Sequence, residues 1–110
     1  MEEQAATTFA GAEITAKANV YFDGKVVSHA IKLADGSRKT LGLIYPGSFH
    51  FATQLPERMQ IIAGSVRARL DGAGEWKSYD AGSEFQVPGN AGFDIAVESG
   101  IAEYICSFEP

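Results

Sequence analysis

From Asn19 onward, glycine, proline or an Asp-Gly turn cuts the chain into runs of four to nine residues, and within these runs side chains alternate in character. The clearest run is 65–70, where Val66, Ala68 and Leu70 point one way and Arg67 and Arg69 the other. Period two is the signature of a strand with one buried face. Residues 25–33 and 39–45 flank Asp35-Gly36-Ser37, a turn signal that makes the pair a hairpin. Pro46-Gly47, Leu55-Pro56, Gly64 and Asp71-Gly72-Ala73-Gly74 bound the runs 48–54, 57–63 and 65–70. Residues 76–79, 84–87, 93–97 and 101–108 complete the set. No segment of this region sustains a helical period. About nine short strands at this spacing predict one all-β domain, a sandwich or closed barrel with room for a small ligand in its mouth. A chain of 110 residues has material for one core.

The first 18 residues break the pattern. They are rich in Ala and Thr and carry Glu2 and Glu3 where a signal peptide would be basic. The expectation is an N-terminal extension, 1–18, possibly flexible, ahead of a barrel domain, 19–110. No run is long enough to span a membrane. The formal net charge is −5 and there is no basic run, which speaks against nucleic acid as a partner. A single cysteine, Cys106, permits no internal disulfide, so a reducing, cytoplasmic setting is expected. Cys106 lies in the apolar run Tyr104-Ile105-Cys106-Ser107-Phe108 and reads as a buried structural thiol.

Two short patterns resemble the paired cupin motifs, and with them the expected fold is a cupin-type β-barrel, or jelly roll. The first is Glu57, six residues, then Gly64; the second is Gly82, five residues, then Pro88. In metal cupins the ligand positions would fall at His50, Ala52, Glu57 and Phe93. Ala52 and Phe93 have no donor atoms, and a stable divalent site generally needs at least three protein ligands. No metal is therefore expected. His50 is read as a strand residue that faces outward if Phe49 and Phe51 face inward.

A longer resemblance runs through almost the whole chain after Asn19. It is carried by Asn19-Val20-Tyr21-Phe22-Asp23-Gly24-Lys25-Val26, by Pro56-Glu57-Arg58-Met59, and by the run from Trp76-Lys77-Ser78-Tyr79 to Gln86-Val87-Pro88. These segments resemble the pyrimidine/purine nucleoside phosphorylase family of small cupin-like proteins. The resemblance implies a cytosolic homodimeric pentosyltransferase. It would cleave purine and pyrimidine nucleosides with inorganic phosphate to free base and ribose 1-phosphate, with phosphate as co-substrate and no cofactor. The extension to Ala18 is longer than in compact members.

That chemistry needs fixed donors for phosphate, a grip on the ribose hydroxyls and a flat apolar surface for the base. Lys25, Arg38 and Thr40 are the phosphate candidates, with a solvated hairpin edge as the competing reading. Glu57 suits the ribose hydroxyls, with Met59 beside it on the same strand face. Phe49, Phe51, Phe93 and Tyr104 are candidates to meet the base, although most rings in a small barrel are core. No residue stands out as the acid for the leaving base. A non-enzymatic binding module on the same barrel is the main rival, and a metal-dependent cupin enzyme a weaker one.

Overall fold

A computed structural model describes residues 8–109. The described residues are all-β apart from a short turn at Phe22–Gly24. In chain order the strands are β1 (Glu13–Ile14), β2 (Asn19–Tyr21), β3 (Val26–Lys32), β4 (Arg38–Ile44), β5 (Gly47–Ala52), β6 (Glu57–Ala63), β7 (Ser65–Leu70), β8 (Lys77–Asp80), β9 (Glu84–Val87), β10 (Gly92–Val97) and β11 (Ala102–Phe108). The nine expected strands are β3 to β11, shifted by a residue or two at their ends.

The strands form two antiparallel sheets. The larger has the order β1-β3-β4-β11-β6-β9, with β2 also pairing with β3; the smaller has the order β5-β10-β7-β8. Among the described residues no strand ladder joins the two sheets, so the expected closed barrel is met only as a pair of sheets. The physical reason lies in the breaks. Pro46-Gly47, Leu55-Pro56 and Gly64 each fall where the chain leaves one sheet for the other, and a strand cannot remain hydrogen-bonded through such a corner. Gly64 has φ +74, and a Cβ there would meet the Ile101 carbonyl oxygen at 2.7 Å, so this corner accepts only glycine.

One core lies between the sheets. Val26, Ile44, Met59, Ile61, Phe85, Val87 and Tyr104 enter it from the larger sheet, and Phe49, Val66, Ala68, Phe93, Ile95 and Val97 from the smaller. Their alternation is the one read from sequence: in β7, Val66 and Ala68 are buried while Arg67 is exposed. On β5, Phe49 is buried and His50 exposed, which fixes the parity of that strand.

Part of the segment before β2 is held by β-pairing. Glu13 and Ile14 lie opposite Lys32 and Ile31 of β3, and the Thr15 N–H donates to the Ala30 carbonyl at 2.9 Å. Residues 1–7, the rest of the expected extension, lie outside the described residues.

Candidate active site

Strand register builds the site in rows across the inner face of the larger sheet. In the outermost row Glu57 lies opposite Phe108, and Arg38 begins β4 one residue before the Lys39–Ser107 pair. The next row is Thr40, Cys106 and Met59. The third is Ser28, Gly42, Tyr104 and Ile61. At about 4.8 Å per strand, the Arg38 and Glu57 backbones stand roughly 10 Å apart across β11. The smaller sheet closes the other side with Phe51, Phe93 and Ile95.

Between them is a cavity of about 370 Å³, within the range for small-molecule sites. Seven of the nine candidate residues line it: Arg38, Thr40, Phe51, Glu57, Met59, Phe93 and Tyr104. Phe49 is in the hydrophobic core instead, beneath Phe22. Lys25 is also absent from the lining. It precedes Val26, while Arg38 lies opposite Lys32 at the far end of β3. Seven residues of strand make a separation of about 23 Å, so Lys25 and Arg38 cannot hold one phosphate. Sequence alone could not reveal this, because register decides it.

The lining also holds residues that the sequence did not single out for a site, among them Tyr21, Ser28, Gln54 and Cys106. For Cys106 the signal was present, since it shares strand parity with Tyr104. The Cys106 thiol donates to Glu57 Oε1 at 3.4 Å. Burial pushes the thiol up, reinforced by the Glu57 carboxylate beside it, so it remains S–H and acts as a donor rather than a nucleophile. Burial likewise raises the Glu57 carboxyl above its ordinary value, and the thiol bond partly offsets the rise.

Tyr104 is pushed up to about 12, chiefly by burial, with nearby Ser28 working against the rise; Ser28 Oγ accepts from Asn19 Nδ2 at 3.3 Å. Its ring lies over Gly42, where a Cβ would overlap it. A bulge in the β6–β11 ladder falls beside Tyr104, between Glu103 and Tyr104. At the rim, buried Thr53 donates to the Pro88 carbonyl at 2.6 Å and accepts from the Ala91 N–H at 3.1 Å. This ties the loop carrying Gln54 to the loop before β10.

Arg38 is exposed and makes no ion pair among the described residues. It is therefore available to an anion at the cavity edge. His50 lies on the outer face of the smaller sheet with Nε2 3.0 and 3.1 Å from the Asp71 carboxylate oxygens. The two cupin ligand positions with donor atoms, His50 and Glu57, thus belong to different surfaces. No group of three His, Cys, Asp or Glu side chains able to hold a metal ion occurs among the described residues.

The family model for pyrimidine/purine nucleoside phosphorylase matches residues 16–108. The chain belongs to the pyrimidine/purine nucleoside phosphorylase family. A relative of that name from Paraburkholderia xenovorans is 52% identical over 104 residues, covering 94% of this chain and 97% of the relative. Another from Cupriavidus metallidurans is 52% identical over 100 residues, covering 91% and 96%. Among solved structures, a protein of unknown function from Acinetobacter sp. ADP1 superposes with a TM-score of 0.91 at 38% identity, covering 94% of this chain and all of that one. Bacillus subtilis oxalate decarboxylase superposes at 0.72 with 14% identity, over 96% of this chain and 31% of that one. At that identity the likeness concerns the fold alone, and it makes the fold of this phosphorylase-family chain cupin-like.

Proposed function

We propose that this chain is a nucleoside phosphorylase that cleaves purine and pyrimidine nucleosides with inorganic phosphate, giving free base and ribose 1-phosphate. The observation that carries this reading is the near full-length match to proteins of that name at about half identity. The cavity supports it with chemistry of the required kinds: an unpaired guanidinium, a carboxylate and apolar ring surface.

In the proposed site, Arg38 and the Thr40 hydroxyl receive phosphate. The guanidinium offers a planar fork to two phosphate oxygens. Glu57, held by the Cys106 thiol, accepts hydrogen bonds from ribose hydroxyls, and Met59 packs against the sugar. The base lies against the aromatic side. A phosphate oxygen forms a bond to C1′ as the C1′–N bond breaks. The bonding pair leaves with the base, which takes up a proton. The transition state resembles a sugar cation, and the nearby Glu57 carboxylate favours that developing charge. Phosphate is the co-substrate, and the donor set gives no reason to add a metal or other cofactor.

The same reading takes the two sheets as a flattened cupin-type barrel over residues 19–110, with 1–18 as an extension. It takes the protein as a cytoplasmic homodimer. Support for self-association comes from the outer face of the larger sheet, where Leu41, Leu43, Ile62 and Ile105 form an apolar hollow beside Phe9. The function is tested by incubating the protein with a nucleoside panel, with and without phosphate. Base release only with phosphate is expected. Binding without turnover would identify a non-enzymatic module instead.

A further inference from the structure

A nucleobase can stack only on a ring face that protein leaves open. Phe93 is 2% exposed and Tyr104 7%, so their faces are already covered. Phe51 is half-buried, and Tyr21 is 43% exposed; both line the cavity. The Tyr21 ring stands edge-on to Phe51, with centroids 5.6 Å apart and planes at 87°. Phe51 is braced from behind by Phe93, stacked at 5.9 Å and 27°.

The backbone after Tyr21 is unusual. Phe22, Asp23 and Gly24 have φ of 52, 56 and 89°, three consecutive left-handed residues. A bulky aromatic rarely adopts this conformation, and such strain persists only where the surroundings enforce it. Here the enforcement is visible. Phe22 packs on Phe49 at 5.0 Å and on Phe51 at 5.5 Å. The turn reverses the chain from β2 into β3, leaves Tyr21 opposite Val26 at the end of the ladder, and fixes the Tyr21 side chain beside the cavity.

We infer that Tyr21 is a specificity-determining residue for the nucleobase: with Phe51 it forms the apolar corner on which the base stacks, and the left-handed Phe22–Gly24 turn holds it there. The inference rests on the phosphorylase reading and deepens it. It explains how one site takes both base classes, since every base has a π face and stacking requires no particular edge pattern. It also predicts unequal dependence, because a purine covers more of two rings than a pyrimidine does.

The test compares the parent with Tyr21→Phe, Tyr21→Leu and Tyr21→Ala, using adenosine and uridine as substrates. Tyr21→Phe keeps the ring and should raise KM for adenosine far less than Tyr21→Ala does. Tyr21→Ala should raise KM for adenosine by roughly 5- to 150-fold, the range expected for a lost base–aromatic stack. The rise for uridine should be smaller, and KM for phosphate should stay unchanged. Tyr21→Leu, which keeps apolar bulk, should fall with Tyr21→Ala. The inference is overturned if Tyr21→Leu and Tyr21→Ala keep parental KM for adenosine, or if KM for phosphate rises in parallel. Calorimetric titration of adenosine into each protein separates the two claims. A parent that binds adenosine but releases no base refutes the phosphorylase reading alone, and the order of affinities among the variants still decides the role of Tyr21.

Discussion

Gly42 is the position at which one added carbon should disturb both the fold and the site. It sits on β4 opposite Tyr104 of β11, and a Cβ there would overlap the Tyr104 ring. Its backbone is not in the left-handed region, so Gly42→Ala carries no conformational strain of its own. Restricting the unfolded chain would by itself stabilise the variant by about 0.4–1 kcal/mol. Overpacking against the ring works in the opposite direction and costs about 1–3 kcal/mol. The balance is a loss of up to about 2.5 kcal/mol, which in a domain of this size lowers Tm by roughly 10 °C. The displaced ring also shifts the cavity wall next to Cys106, so nucleoside KM should rise. A double-mutant cycle by thermal unfolding isolates the cause. In a Tyr104→Ala background the overlap is gone, and Gly42→Ala should become neutral or slightly stabilising. If Gly42→Ala costs the same with and without the Tyr104 ring, the overlap is not what requires glycine there.

Arg38→Lys keeps the charge and loses the fork; phosphate KM should rise about ten- to a hundredfold, the worth of a lost charge-assisted hydrogen bond, while nucleoside KM at saturating phosphate changes little. Unchanged kinetics would return Arg38 to the solvated hairpin edge. Glu57→Gln should do the reverse and weaken nucleoside use more than phosphate use. Because burial raises the Glu57 carboxyl pKa, its contribution to stability is full below the unfolded carboxyl value and is lost as pH rises through the folded one. The Tm of Glu57→Gln relative to the parent should therefore increase from acid to neutral pH; a flat difference would contradict the burial. Removal of residues 1–17 deletes β1 and its pairing to β3 but no residue lining the cavity, so activity should persist with a lowered Tm. Loss of activity in a folded truncation would assign the segment a role in the site.

The strands were legible because their ends are written in turn chemistry and their faces in alternation. Asp35-Gly36-Ser37 marks the β3–β4 hairpin, and the Asp35 carboxylate accepts from the Ser37 N–H at 2.9 Å. The inward Phe49 and outward His50 follow from period two once one of them is placed. Contacts set by register were not legible. The gap between Lys25 and Arg38 depends on β3 pairing with β4, and the Glu57–Cys106 bond depends on β6 pairing with β11. β1 and β2 have two and three residues, too few to show a period, and they owe their conformation to the edge of β3. Tyr21 lay within a segment already singled out, and Asp23-Gly24 after it is a turn signal, but its place at the cavity also depends on a left-handed Phe22, which no local propensity favours.

The central claim is that phosphate, not water, takes the sugar from the base. Incubation of the protein with a nucleoside and oxygen-18-labelled phosphate, followed by mass spectrometry, tests it directly. The account predicts one ribose 1-phosphate per base released, with the label retained in the oxygen bridging phosphorus and C1. Base accompanied by free ribose, or base released at the same rate without phosphate, would contradict it.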